Sequence, residues 1–271
     1  MNLTSPSQVK AWCIENGFHP NKVLGQNFLI DGNALKAIVD AGLEGIRDQG
    51  SGIRVLEIGP GLGVLTEEML KRGCEVVAIE KDPILAARLK DSLGNPEGLA
   101  VVEGDALDVI SDPRSPIPDP SFSCMISNLP YQAGTRILLE LVKARQLQSM
   151  TVLVQTEVAE RLAAREGSKT RGQAGVWAQL DYDVRIVRKV SASCFWPRPE
   201  IGSSVVRLDR HDRNLSLSDE ERELFHRLTK QAFEHRRKQL GSIFKDMIQS
   251  TARAEELSNE DWINLVKGLN G

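Results

Sequence analysis

The sequence has little of what builds a metal centre or a disulfide framework: 4 Cys and 4 His among 271 residues. Cys13, Cys74, Cys124 and Cys194 stand apart with no C-x-x-C spacing, which argues against a zinc site and suits a reducing cytosol. His19, His211, His226 and His235 form no H-E-x-x-H or other ligand cluster, so no metal is expected. No run approaches ~20 apolar residues, which excludes a transmembrane helix, and no membrane partner is expected. The opening MNLTSPSQVKAW lacks a basic segment followed by an apolar one, so a cytoplasmic protein without a secretory signal is expected. Internal repeats and low-complexity tracts are absent. Hydrophobic residues at 41% and charged ones at 26% exclude wholesale disorder. The length allows one large domain or one domain with a small companion.

The net charge of -3 looks bland until the chain is divided. Residues 1–135 hold 11 Lys+Arg and 18 Asp+Glu, whereas 136–271 hold 23 and 19. Within 185–245 there are 14 basic and 8 acidic residues. An anionic partner near the C-terminal half would explain this, and so would ordinary fluctuation along a chain.

From Arg54 to Gln155 strands and helices alternate. Apolar runs predict strands at 54–59, 75–80, 100–104, 123–127 and 150–155, and helical periods fall at 64–72, 83–93 and 135–145. Such β-α repetition predicts an open, mostly parallel α/β sheet. Upstream, 6–16 and 33–43 read as short helices. The stretch 112–120 holds four prolines and reads as loop. Beyond 209 the pattern is helical, at 218–231, 233–249 and 258–268, with a capping box at Ser218–Glu221. A boundary near 209 is therefore expected.

The first strand of the series ends in Glu57-Ile-Gly59-Pro-Gly61-Leu-Gly63 and runs into a helix. The dinucleotide fingerprint G-x-G-x-x-G is not met, because Val64 stands at its third glycine. A tight structural turn would look the same, so context decides. Glu80 ends the second strand, where a carboxylate can accept from a ribose diol. Asp105 ends the third, where it can accept from an adenine amino group, although either acid alone also suits a helix cap. These features converge at the carboxyl ends of adjacent strands, where α/β sheets bind ligands, and together they indicate an adenosyl ligand.

After the fourth strand comes Asn128-Leu129-Pro130-Tyr131. Asn and Pro favour turns, but these residue types also suit one particular reaction. The lone pair of the adenine amine is delocalised into its ring. Two acceptors aimed at its N–H bonds, the Asn128 side-chain oxygen and the Leu129 carbonyl, favour the more nucleophilic pyramidal nitrogen. Pro130 removes a competing donor, and Tyr131 offers a flat face to an unstacked base. A neutral amine attacking a sulfonium disperses charge, so alignment and oriented dipoles suffice without a strong base.

With these motifs in place, the chain resembles the ribosomal RNA adenine dimethyltransferases that act on two adjacent adenosines near the 3′ end of small-subunit rRNA. The resemblance runs from about Val23 to Phe244. It is carried by Leu24-Gly-Gln-Asn-Phe-Leu29, Val55-Leu-Glu-Ile-Gly-Pro-Gly-Leu-Gly63, Asn128-Leu-Pro-Tyr131, Val154-Gln-Thr-Glu-Val-Ala-Glu-Arg-Leu162 and Phe195-Trp-Pro-Arg-Pro-Glu-Ile201. Leu129 in the tetrad resembles the ribosome-biogenesis branch; the related resistance methylases of large-subunit rRNA usually carry Ile there. The resemblance implies a Rossmann-like S-adenosylmethionine methyltransferase fold, with a catalytic domain over 1–209 and a small all-helical RNA-binding domain over 210–271. It implies S-adenosylmethionine as co-substrate, held by Asn27, Leu29, Gly59, Gly61, Glu80, Asp105 and Asn128, and Phe195 as a second stacking face opposite Tyr131. From the residues alone, Phe195, beside two prolines, reads rather as a core aromatic than as a stacking face. The implied partner is 16S rRNA in the 30S subunit or its precursor, met by a monomer.

Some residues depart from the family pattern. Lys169-Thr-Arg-Gly-Gln-Ala-Gly-Val176 is similar to a segment that usually reads Tyr-Gly-x-Leu-Ser-Val, so Arg171 replaces tyrosine and Ala174-Gly175 replace Leu-Ser. Val23 stands where serine is commoner. These bear on local packing and RNA contact rather than on the reaction.

In the basic half, Arg227, Lys230, Arg236, Arg237 and Lys238 are expected to meet phosphates, with a solvated helix face as the alternative. Two other functions share parts of the pattern. An amine methyltransferase for DNA adenine or a protein glutamine would use a similar tetrad, but the Leu29 loop and the helical module argue against it. A non-catalytic assembly or transcription factor would not need Glu80, Asp105 and Asn128 intact.

Overall fold

The apolar runs of the first half become the parallel centre of one sheet. The computed structural model describes residues 1–21, 24–46, 52–112, 122–214, 217–245 and 247–270. In chain order the elements are α1 (Pro6–Glu15), β1 (Phe28–Leu29), α2 (Gly32–Leu43), β2 (Ile53–Ile58), α3 (Val64–Lys71), β3 (Cys74–Glu80), α4 (Pro83–Ser92), β4 (Leu99–Glu103) and α5 (Ala106–Ser111). There follow β5 (Cys124–Asn128), α6 (Gly134–Ala144), β6 (Ser149–Gln155), α7 (Thr156–Ala163), α8 (Gln173–Asp181), β7 (Tyr182–Val190), β8 (Phe195–Trp196) and β9 (Ser203–Arg210). The last helices are α9 (Asp219–Glu234), α10 (Leu240–Ile243) and α11 (Asn259–Asn270). The expected strands and helices up to 155 fall within one residue of these bounds. The proline-rich loop at 113–120 and the departure at Val23 lie outside the described residues.

Two units form: Met1–Ala159 with Arg185–Asp209, and Glu160–Val184 with Arg210–Gly271. The break at 209 coincides with the expected boundary, but the second unit also takes in 160–184. The chain therefore passes between units three times rather than once.

In the first unit, seven strands lie in the order β4-β3-β2-β5-β6-β9-β7. The pairs from β4 to β6 are parallel and β6–β9 is antiparallel. The chain steps outward from β2 in both directions, so the loops after β2, β3, β4 and β5 meet over one crevice at the switch point. Helix α2 sits directly on the sheet: a Cβ on Gly42 would lie 2.4 Å from Ile126 Cδ1. The buried Arg207 guanidinium donates to the Ala41 and Glu44 carbonyls, satisfying the C-terminal end of that helix. Helices α4 and α5 are capped by Asp82 and Asp105, whose side chains accept from the first-turn amides.

The second unit packs α8, α9 and α11 around Phe225, Leu228, Trp262 and Val266, all buried. Its α9 begins with both halves of the expected capping box, Ser218 with Glu221. The expected helix over 233–249 does not form. Helix α9 ends at Glu234, residues 235–238 turn, and only Leu240–Ile243 is helical. The reason is a close chain reversal: Leu240 N donates to Ala252 O and Gly241 N to Ser250 O, both at 2.9 Å. A Cβ at Gly241 would lie 2.9 Å from Ser250 O, so the backbones approach where a long helix would hold them apart.

Two of the sequence departures have packing reasons here. Arg171, 1% exposed, donates to Ala164 O (3.0 Å), Gln179 Oε1 (3.4 Å) and Asn259 Oδ1 (2.8 Å), joining three segments. Burial lowers its pKa from the usual arginine value. Gly175 lies so close to α7 that a Cβ would stand 2.4 Å from Arg161 O. A serine there would force the two backbones apart.

Candidate active site

A cavity of about 190 Å³ opens at the switch point, and all its lining residues belong to the first unit. Gly59, Gly61 and Gly63 follow β2 at φ of +67°, +60° and +88°, the left-handed region that glycine reaches without strain. Gly61 also permits a close approach, since a Cβ there would meet the Phe28 ring at 3.1 Å.

Glu80 and Asp105 stand where the strand ends were expected to place them, and both line the cavity. Glu80 accepts the Gly61 N–H at 3.0 Å and the Asp82 N–H at 2.9 Å, one on each oxygen. Burial pushes its carboxyl above the usual range, against the pull of those backbone bonds. Asp105 caps α5 through Leu107 N (2.9 Å) and meets Lys81 Nζ at 2.7 Å. The Lys81 ammonium and the Leu107 N–H hold its carboxyl below the ordinary value.

The tetrad lies across the crevice. Asn128 Nδ2 donates to Asn27 O at 3.2 Å, which assigns the amide nitrogen to the loop before β1. No described residue donates to Asn128 Oδ1 or to the Leu129 carbonyl, so both acceptors stay available. Leu129 N donates to Leu153 O at 3.1 Å and fixes the backbone. The Asn27 side chain donates to Gly25 O (3.1 Å), and Gly25 lies against the tetrad, where a Cβ would come 3.1 Å from Tyr131 N. The Tyr131 hydroxyl and Ser203 Oγ are 2.8 Å apart, and burial raises the phenol pKa against that bond. Asn27, Leu29, Gly59, Gly61, Glu80, Asp105 and Asn128 to Tyr131 thus share one cavity.

Phe195 is not among them. It is 2% exposed, pairs with Leu29 in the small antiparallel β1–β8 sheet and belongs to the hydrophobic core. An aromatic ring so buried has no face free for a base, and the core reading of this residue is the one the structure takes.

The basic residues divide in the same way. Arg227, Lys230, Arg237 and Lys238 are exposed, with no ion pair among the described residues. Arg236 is engaged within the second unit, donating to Lys169 O at 2.5 Å and facing Glu255 at 3.6 Å. Residues 236–238 lie on a turn rather than on a helix face.

Four contributors went unassigned in the sequence. Ser203 orients the tyrosine, and no local pattern marks it, because its partner is 72 residues away. Gln26 Nε2 donates to Asp82 at 2.9 Å and ties the loop before β1 to the N-cap of α4, two residues past Glu80. Lys81 follows Glu80 directly. Glu57, 1% exposed, accepts from Thr66 Oγ1 at 2.6 Å; burial pushes its carboxyl up to about 8, with Glu80 adding to the rise. A lone acid inside an apolar strand was the available signal.

The sheet order and a glycine loop facing acidic strand ends define a Rossmann-like methyltransferase of the adenosyl-donor type. A family model described as ribosomal RNA adenine dimethylase matches residues 17–269. The chain is 44% identical over 207 residues to ribosomal RNA small subunit methyltransferase A of Deinococcus radiodurans, covering 76% of this chain and 67% of that protein. It is 36% identical over 263 residues to the Chlamydia abortus protein of the same name, covering 95% and 90%. Among solved structures, a dimethyladenosine transferase from Plasmodium falciparum matches with a TM-score of 0.72 at 23% identity, over 89% of this chain and 97% of that one. The 23S rRNA methyltransferase ErmE matches with 0.68 at 23% identity, over 90% and 100%. At those identities the two structures speak to the fold. The chain belongs to the ribosomal RNA adenine dimethylase family, and with that membership it is an rRNA adenine dimethyltransferase.

Proposed function

We propose that this protein methylates the N6 atoms of two adjacent adenosines near the 3′ end of 16S rRNA, in the 30S subunit or its precursor, acting as a cytoplasmic monomer. The observation that carries the reading is the Asn27–Asn128 contact. By engaging Nδ2, it leaves Asn128 Oδ1 and the Leu129 carbonyl as two adjacent acceptors at one cavity.

The residues present fit S-adenosylmethionine. Gly59 and Gly61 leave the backbone bare, Glu80 and Asp105 offer acceptors for ribose and adenine, and Asn27 and Leu29 close the side toward Asn128. The acidic groups of Glu80 and Asp105 suit a ligand carrying positive charge. When bound, S-adenosylmethionine supplies a methyl group activated by a sulfonium. The chain's part is alignment: Asn128 Oδ1 and the Leu129 carbonyl accept the two N–H bonds of the target amine, Pro130 brings no competing N–H, and the Tyr131 ring receives the flipped base. Ser203 holds the phenol so that the ring presents a fixed face. Phe195 supports this arrangement from behind, through Leu29. Arg227, Lys230, Arg237 and Lys238 take phosphates of the RNA backbone.

The test is incubation with labelled S-adenosylmethionine and small subunits lacking adenine methylation, followed by mass spectrometry of the RNA. Two adjacent dimethyladenosines near the 3′ end are expected. Label confined to large-subunit RNA or to duplex DNA overturns the substrate assignment, and monomethyladenosine alone overturns the second transfer.

A further inference from the structure

We propose that the turn ahead of the family-matched region, anchored by α1, forms a wall of the donor cavity, with Leu3 as a donor-binding residue. The proposal rests on the reading that this cavity holds S-adenosylmethionine. The family match begins at residue 17, so nothing in it assigns a role to residues 1–16. Yet Leu3 lines the same cavity as Glu80 and Asn128, and it is only 5% exposed.

Several bonds hold Leu3 there. Asn2 N donates to Gln8 Oε1 at 2.7 Å, Thr4 N and Thr4 Oγ1 donate to Asn2 Oδ1 at 3.0 and 2.8 Å, and Ser5 N donates to Asn2 O at 3.1 Å. These close a turn around Leu3 and leave its side chain pointing away from solvent. Pro6 then starts α1, which buries Val9 and Cys13, four residues apart on one face, in the core.

The helix is fastened to the glycine loop through aromatic rings. Trp12 and Phe18 meet at 5.9 Å between centroids, Phe18 and Phe28 at 6.2 Å, and Phe28 covers Gly61 where a Cβ would clash. An apolar wall so anchored keeps water from the cavity carboxylates and strengthens their attraction for a cationic ligand. A turn serving only as core filler would have no reason to reach the cavity lining.

The test uses the full-length protein and its Leu3→Ala and Leu3→Met variants, titrated with S-adenosylmethionine by calorimetry and assayed on small subunits. Leu3→Ala is expected to raise Kd and KM for S-adenosylmethionine by roughly three- to tenfold, the effect of losing part of one apolar contact. At saturating S-adenosylmethionine kcat stays unchanged, and the rise in Tm on adding it shrinks. Leu3→Met, which keeps the apolar volume, restores affinity to within about twofold. If Leu3→Ala lowers Tm equally with and without S-adenosylmethionine and leaves Kd unchanged, the wall is core only and the proposal fails. If the unsubstituted protein binds no S-adenosylmethionine, the donor reading itself falls, a result separable from the first.

Discussion

The two units treat charge and polarity in opposite ways. In the first, the polar groups at the cavity are each held by a neighbour that leaves one function open: Asn128 by Asn27, Tyr131 by Ser203, Glu80 by two backbone amides. In the second, much of the basic charge is used internally. Arg171 bridges three segments, Arg222 makes a buried two-pronged pair with Asp181 at 2.9 and 2.8 Å, and Arg236 is tied to Lys169 and Glu255. A count of basic residues therefore overstates the charge offered to RNA, while a count of polar residues near the cavity understates how far they are arranged in advance.

Six substitutions would break or sharpen this contrast. The largest effect is expected from Asn128→Ala, which removes an acceptor whose orientation is already set. Transfer should fall by about 10²–10³-fold, while S-adenosylmethionine affinity changes by less than about tenfold. Label incorporation with parallel calorimetry measures both, and near-normal transfer would end the two-acceptor account. Next, the double reversal Arg237→Glu with Lys238→Glu should weaken RNA binding and lower the log–log salt slope by about 1.5, whereas Arg236→Glu should mainly lower Tm. Equal slopes for the two variants would erase the distinction between exposed and engaged cations. Ser203→Ala, which frees the phenol, should reduce kcat by roughly three- to tenfold, the worth of about one hydrogen bond, with Kd for S-adenosylmethionine unchanged.

The remaining prediction concerns stability against pH rather than activity. Glu57 ionises near 4.5 when exposed but near 8 when buried, so between those values the folded protein holds a proton that the unfolded chain has released. Stability should fall as pH rises through that window and level off above it. Glu57→Gln keeps a polar partner for Thr66 and cannot ionise, so its denaturant midpoints should lose that component of the slope. An unchanged pH profile would place the titration elsewhere.

The central sheet was legible in the sequence because its strands are short apolar runs buried on both faces, and each helix between them carries a regular period. The acids at 80 and 105 were legible for a related reason, since strand ends in such a sheet fall at one edge. Past 155 legibility declined. The helix expected over 233–249 has an acceptable period, but the pairing of 240–241 with 250–252 is a tertiary event that local periodicity does not register. Phe195 reads either as a stacking platform or as core, and only its partner Leu29 decides between them.

The sequence alone determined the parallel sheet and the glycine turn, because each depends on residue type at short spacing. Tertiary structure decided which atoms remain free. Asn27 selects the face of Asn128 across 101 residues, Ser203 fixes Tyr131 across 72, and Glu255 together with Lys169 withdraws Arg236 from the basic surface. Spacing of residues carries no record of such contacts, since a hydrogen bond depends on distance in space rather than along the chain.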